Sequence, residues 1–166
     1  MKKILATFIL LAGMLAANHA RAASDNVSLG FTFGAAFPQH STSEVQFDDW
    51  DSSFSWGFYV NIPVVWTFHI APTTTLYQFR SVNATDVDLA FKFLIPVWRI
   101  QLFFGVAPGV TTVADDHMFN VGGLAGCSFN FVSNLDAFVE ARYKILIEGD
   151  QNIRVLHTFA GLLWHF

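Results

Sequence analysis

Residues 54–70 read FSWGFYVNIPVVWTFHI, and every even-numbered position in this stretch is apolar. The odd-numbered positions carry mostly small or polar residues, among them Ser55, Gly57, Asn61 and His69. Successive side chains of a β-strand point to opposite faces, so a period of two indicates a strand with one oily face and one polar or small face. This stretch decides the class of fold, because the same alternation recurs along most of the chain.

The alternation predicts eight strands, at about 26–37, 54–70, 75–82, 86–95, 98–110, 119–132, 136–147 and 153–166. Short turns are expected at 71–74, 96–97 and 133–135, and longer loops at 38–53, 83–85, 111–118 and 148–152. The stretch 54–70 exceeds the roughly 9–11 residues that a membrane-spanning strand needs. It also contains Pro63, which cannot donate to a strand ladder. We interpret 54–70 as one long strand that protrudes or bulges, because a turn at Pro63 would give nine strands.

The two faces of these strands indicate which solvent each one meets. A soluble β-sandwich would also alternate, but its water-facing side would be mostly charged. Here the second face is poor in charge and rich in Gly, Ser, Asn and Thr, as in a narrow barrel lumen. The oily face then meets lipid, and closure is required because an open sheet edge in hydrocarbon would leave backbone groups unpaired. The predicted fold is an all-β, eight-stranded antiparallel transmembrane β-barrel.

The N-terminal residues have the features of an export signal. Lys2 and Lys3 precede an apolar run at 4–17, and Ala20-Arg21-Ala22 fits a small-x-small cleavage pattern. An anchoring helix is the alternative, but the run is shorter than the roughly 20 apolar residues that a span needs. We therefore predict a signal peptide at residues 1–22, cleaved after Ala22.

Residues 23–166 then form the barrel domain, which is long enough for one domain. The full chain has 9 Lys+Arg and 13 Asp+Glu. The signal peptide contains three of the cations and none of the acids, which leaves 6 cations, 13 anions and a net charge of −7. This balance gives no support to a nucleic-acid partner. Cys127 is the only cysteine, so no disulfide can form within the chain.

The chain ends in AGLLWHF, residues 160–166. A final Phe166 with Trp164 two residues earlier resembles the signal that the outer-membrane assembly machinery recognises. Residues 104–110 and 134–143 are similar to late strands of the small barrels of the OmpA, OmpX and OmpW type. This resemblance implies a porin-like protein of the bacterial cell envelope, located in the outer membrane. It also implies contact with outer-membrane lipid and lipopolysaccharide, and a monomer, but it does not point to one activity.

By strand parity, a set of charged side chains should point into the lumen: Arg80, Asp88, Lys92, Arg99, Glu140, Arg142 and Lys144. Buried charges must be paired, so we expect an ion-pair network that fills the barrel. Five inward cations face Asp88, Asp136 and Glu140, which places Glu140 in an excess of positive charge. The alternative is a selectivity filter, but eight strands leave room for side chains and little water.

The predicted long loops carry acids and neither Lys nor Arg: Glu44, Asp48, Asp49, Asp51, Asp115, Asp116, Glu148 and Asp150. We interpret these residues as a solvated rim facing the outside. Binding of divalent cations that also bridge lipopolysaccharide phosphates is the alternative, since hard cations prefer carboxylate oxygens.

Catalysis has little support in the sequence. A lipid A deacylase of the PagL type needs a His and a Ser on the lipid face of one strand. Here His157 is followed by Thr158, whose side chain points to the opposite face. Zinc-type Cys/His spacing and a Gly-rich phosphate loop are missing too. We predict no enzyme, cofactor or metal, and a structural or surface-interaction role. A narrow channel or transporter for small or hydrophobic solutes is the alternative.

Overall fold

The computed structural model describes residues 26–39, 52–79, 82–114, 116–132, 134–148 and 151–166. Each strand pairs antiparallel with the next, and the first pairs with the last, which closes the barrel. The strands are β1 (Ser28–Gln39), β2 (Ser53–Val65), β3 (Phe68–Phe79), β4 (Val82–Val97), β5 (Ile100–Val113), β6 (Asp116–Val132), β7 (Leu135–Glu148) and β8 (Gln151–His165). The predicted fold class is confirmed, while the predicted signal peptide lies outside the described residues.

The described residues include no helix that is both long enough and apolar enough to cross a membrane.

The prediction of one strand over 54–70 is wrong. The chain reverses at residues 66–67, so this stretch forms the end of β2, a two-residue turn and the start of β3. A bulge follows Pro63, because Pro63 pairs with His69 while Val65 pairs with Phe68. Elsewhere in this hairpin, odd-numbered residues of β2 pair with odd-numbered residues of β3, and even-numbered with even-numbered. The alternation of apolar and polar residues therefore continues without a break across the turn, and the sequence pattern does not reveal it.

Several predicted connections are also wrong, because the strands are longer than expected. The turn expected at 71–74 lies within β3, and the one expected at 96–97 lies at 98–99. The sequence predicts loops at 83–85, 111–118 and 148–152. In the structure, only two residues separate β3 from β4, β5 from β6 and β7 from β8. The longest connection is the one between β1 and β2. The predicted connections are too long because polar residues continue these strands beyond the apolar band, and polar residues at a strand end resemble a loop in sequence.

The two ends of the barrel differ. One end, which we call the terminal end, carries Val27, Phe166 and the connections β2–β3, β4–β5 and β6–β7. The opposite end, the loop end, carries the connections β1–β2, β3–β4, β5–β6 and β7–β8. Chain termini and tight turns lie on the periplasmic side in outer-membrane barrels, and longer loops lie outside.

Two apolar clusters fill much of the lumen. The first, near the loop end, consists of Ala36, Tyr77, Ala84, Met118, Leu146, Ile153 and Val155, with Val113 packed against it. The second, nearer the terminal end, consists of Tyr59, Ala71, Ala90, Leu94, Phe103, Ala107, Leu124, Phe138 and Leu163. We call them the loop-end plug and the lower core. Charged side chains occupy the layer between them.

Candidate functional site

The charged layer is built from two strands. Asp86, Asp88 and Lys92 lie on β4, and Glu140, Arg142 and Lys144 lie on β7, which is three strands further around the ring. Within each strand the residues are separated by even numbers of positions, so their side chains share the inward face. All six are at most 4% exposed.

Arg142 connects both strands. Its Nε and Nη2 donate to Glu140 Oε1 at 3.0 and 2.5 Å. Its Nη1 donates to Asp88 Oδ2 at 2.7 Å and to Thr73 Oγ1 at 3.1 Å. A planar guanidinium suits this arrangement, because it presents several donors at fixed angles and keeps its charge.

Lys144 and Lys92 neutralise the remaining charge. Lys144 Nζ donates to Asp86 Oδ2 at 2.6 Å and to both oxygens of Asp88 at 3.0 and 2.9 Å. Lys92 Nζ donates to the Tyr59 hydroxyl at 2.5 Å, and that hydroxyl donates to Glu140 Oε2 at 3.1 Å. Lys92 also lies 4.7 Å from the ring centroid of Phe103, within the range of a cation–π contact.

The charge balance of this layer differs from the prediction. Three acids face three cations, so Glu140 does not lie in an excess of positive charge. Asp86 is not among the predicted lumen residues, although its parity is the same as that of Asp88 and places it inward. Asp136 belongs to a separate group at the terminal end, where it lies 2.9 Å from His165 Nε2 and accepts from Asn130 Nδ2 at 2.8 Å.

Two members of the predicted lumen set are not part of this layer. The placement of Arg99 in the lumen is wrong, because β4 continues to Val97 and leaves Arg99 exposed in the β4–β5 turn. Its guanidinium lies 5.3 Å from the ring centroid of Trp98. Arg80 lies outside the described residues.

Most of the predicted acidic rim also lies outside the described residues: Glu44, Asp48, Asp49, Asp51, Asp115 and Asp150. Asp116 begins β6 at the loop end and is exposed, and Glu148 ends β7 at the same end. Both residues therefore belong to strands and not to the predicted long loops, and the described residues form no cluster of acids at this end.

The residues of the predicted assembly signal lie at the terminal end. Trp164 is on the outer face of β8, half exposed, and Phe166 follows the strand with 69% of its surface exposed. The backbone nitrogen of Phe166 donates to Val27 O at 3.2 Å. Both aromatic rings are thus presented to the surroundings of the barrel and not packed into it.

The histidines form no metal centre among the described residues, where no group of three His, Cys, Asp or Glu side chains has suitable geometry. His157 Nε2 lies 3.6 Å from Asp86 Oδ2 inside the charged layer. His69 Nδ1 lies 2.9 Å from Asn61 Nδ2 near the terminal end. Both imidazoles are almost completely buried in the lumen.

The outer wall is apolar over its whole circumference. Phe58, Phe104 and Val139, on three different strands, each expose at least half of their surface. Soluble monomers rarely expose an apolar surface of this extent. A wall of this kind around a closed sheet matches hydrocarbon as its solvent.

Several solved structures of outer-membrane proteins superpose on this barrel. Neisserial surface protein A superposes with a TM-score of 0.72 at 14% identity, covering 84% of this chain and 97% of that one. The chain has the fold of the small outer-membrane β-barrels. The outer membrane protein OprG of Pseudomonas aeruginosa gives a TM-score of 0.62 at 11% identity, over 87% of this chain and 98% of its own. Ail, the attachment invasion locus protein of Yersinia pestis, gives a TM-score of 0.55 at 10% identity, over 86% of this chain and 99% of its own.

No protein-family profile matches the sequence, and no curated protein is similar enough to match it. The resemblance to the small outer-membrane barrels that the sequence analysis stated is confirmed at the level of the fold. The apolar wall and these structural matches agree with a position in the bacterial outer membrane.

Proposed function

We propose that this barrel is a non-catalytic protein of the outer membrane with a structural or surface-interaction role, and that its lumen does not conduct. The observation that carries the proposal is the filled lumen. The charged layer is buried and internally neutral, and apolar side chains pack on both sides of it.

An ion passing through the lumen would meet two barriers, the charged layer and the loop-end plug. In the charged layer it would compete with contacts of 2.5–3.1 Å that already satisfy Arg142, Lys144 and Glu140. At the loop-end plug it would meet Leu146 and Val155, which are 1% and 0% exposed. Neither layer offers the water-filled path that larger barrels provide.

The surroundings of the barrel supply its partners in this proposal. The outer wall would contact outer-membrane lipid, and lipopolysaccharide in the outer leaflet. The acidic rim would keep the loop end solvated, or would bind divalent cations shared with lipopolysaccharide phosphates. Export would use the signal peptide at residues 1–22, and the barrel would work as a monomer.

Single-channel recording in planar bilayers tests the closed lumen. The refolded mature chain is expected to give no discrete current steps beyond those of a protein-free bilayer, although a shift on unheated gels shows that it is folded. The opposite result would be regular current steps whose ion selectivity changes when Arg142 is replaced by methionine. That result would establish the alternative, a narrow channel through the lumen.

A second prediction concerns assembly. Deleting Phe166 is expected to reduce insertion into the outer membrane of cells, because the exposed terminal ring would be available to the assembly machinery. The same deletion should change the unfolding free energy of refolded protein by less than about 0.5 kcal/mol, since terminal residues contribute little packing. Membrane fractionation and urea unfolding in detergent measure the two effects. Phe131→Ala, an exposed aromatic change at the same end, is the control, and normal assembly of the deletion variant would contradict the assignment.

A further inference from the structure

The turn between β4 and β5 has an unusual residue at its first position. Trp98 has a φ of 57°, in the left-handed region where glycine is favoured, and 79% of its surface is exposed. Two-residue hairpin turns with positive φ at the first position normally carry glycine there. The chain therefore holds a large aromatic ring in a strained backbone conformation at a site where no packing inside the barrel requires it.

Strained residues that persist in a structure are concentrated at functional positions. The other tight turn of known conformation at this end, at Trp66 and Thr67, has no residue with positive φ. Ala114, in the β5–β6 connection at the loop end, has a φ of 53° as well, so positive φ is particular to the turn that carries Arg99 only among the described turns of the terminal end.

Arg99 is the second unusual feature of this turn. Among the described residues it is the only exposed Lys or Arg at the terminal end, and no carboxylate lies within ion-pair distance of it. Its guanidinium instead lies 5.3 Å from the centroid of the Trp98 ring. An exposed cation without an acid partner is available for an anion from outside the chain.

The position of the turn relative to the apolar wall indicates which anion this is. Val97 and Ile100, the residues on either side, are exposed apolar side chains of the wall, so the turn lies where the wall ends. Lipid phosphates lie at this level of a bilayer, and tryptophan is enriched there because its ring is apolar and its N–H is polar. A guanidinium can donate two parallel hydrogen bonds to one phosphate.

We infer that Trp98 and Arg99 form a binding site for the phosphate of a membrane phospholipid, in the leaflet that faces the periplasm. This inference rests on the proposed placement of the barrel in the outer membrane, with its terminal end towards the periplasm. Arg99 binds the phosphate. The Trp98 ring lies among the upper acyl carbons and holds the Arg99 guanidinium at the membrane surface. The site fixes the depth of the barrel in the bilayer.

Native mass spectrometry of the refolded mature chain in maltoside micelles tests the site. With dioleoyl phosphatidylglycerol added, the chain is expected to retain one lipid, whereas dioleoylglycerol, which lacks the phosphate, is not retained. Arg99→Gln should weaken retention by roughly tenfold, the loss expected for a hydrogen bond to a charged group. Arg154→Gln is the matched control, because Arg154 is an exposed arginine on β8 near the loop end.

Trp98→Gly separates binding from simple stability. Glycine removes the strain, so the urea midpoint in maltoside micelles should rise or stay unchanged while lipid retention falls. Trp66→Gly, at the neighbouring turn, should leave retention unchanged. Equal retention of the two lipids, unchanged retention by Arg99→Gln, or displacement of the lipid by an equal concentration of inorganic phosphate would each overturn the inference. None of these outcomes depends on conductance, so the closed lumen is tested separately.

Discussion

Replacing Glu140 by alanine is expected to destabilise the barrel by roughly 3–5 kcal/mol, the cost of breaking a buried ion pair. The Glu140 carboxylate accepts hydrogen bonds from Arg142 and from the Tyr59 hydroxyl, and it is 3% exposed. Its loss leaves the layer with three cations and two acids. The excess charge has no access to water, so the folded state carries most of the penalty.

Urea unfolding in lipid vesicles measures this effect. Asp116→Ala removes an exposed acid at the loop end and should change the unfolding free energy by less than about 0.5 kcal/mol. The double variant Glu140→Ala/Arg142→Met restores neutrality, so it should recover part of the stability that the single change removes. If Glu140→Ala and Asp116→Ala have equally small effects, Glu140 faces open water and the channel alternative gains support.

Replacing Gly57 by alanine is expected to cost about 1–3 kcal/mol, as overpacking of a well-packed interior does. Gly57 faces the lumen on β2, and a Cβ there would collide with the carbonyl oxygen of Thr74 and lie 3.0 Å from the Cα of Thr75. Both are backbone atoms of the paired strand β3. They cannot move aside without disturbing the ladder, so the strand itself must shift.

Gly123→Ala is the matched control for this change. Gly123 lies on the outer wall, where a Cβ would meet nothing within 4 Å, and its φ is not in the left-handed region. The same methyl group should therefore be neutral there, or stabilising by up to about 1 kcal/mol through the unfolded state. Urea midpoints of the two variants in one detergent compare them directly. Similar effects at the two positions would show that the close approach of β2 and β3 is not rigid.

The alternation of side chains was enough to predict the barrel, its eight strands and which face of each strand is oily. Alternation could not locate the turn at Trp66, because the pairing of β2 with β3 preserves parity across it. It also placed Arg99 in the lumen, although the parity of β5 is otherwise correct. The error came from ending β4 two residues too early, and strand ends carry the weakest periodic signal.

The composition of the charged layer was only partly predictable. Parity brings Asp88, Glu140, Arg142 and Lys144 to the inward face, where the structure places them. Which acid contacts which cation depends on how β4 and β7 are staggered across the barrel, and no local pattern encodes that stagger. The bridging position of Tyr59 between Lys92 and Glu140 depends on it in the same way.

The division of the charged layer between two strands limits how this sequence can diverge. Its β4 residues carry two acids and one cation, and its β7 residues carry one acid and two cations. Only the two strands together are neutral, so a mutation that changes the charge of one residue leaves a buried excess that a second change within the layer must correct. Descendants of this chain should therefore change these positions in pairs that conserve the net charge of the layer, either within one strand or across the two. Positions on the outer wall, which meet only lipid, are free to exchange one apolar residue for another independently.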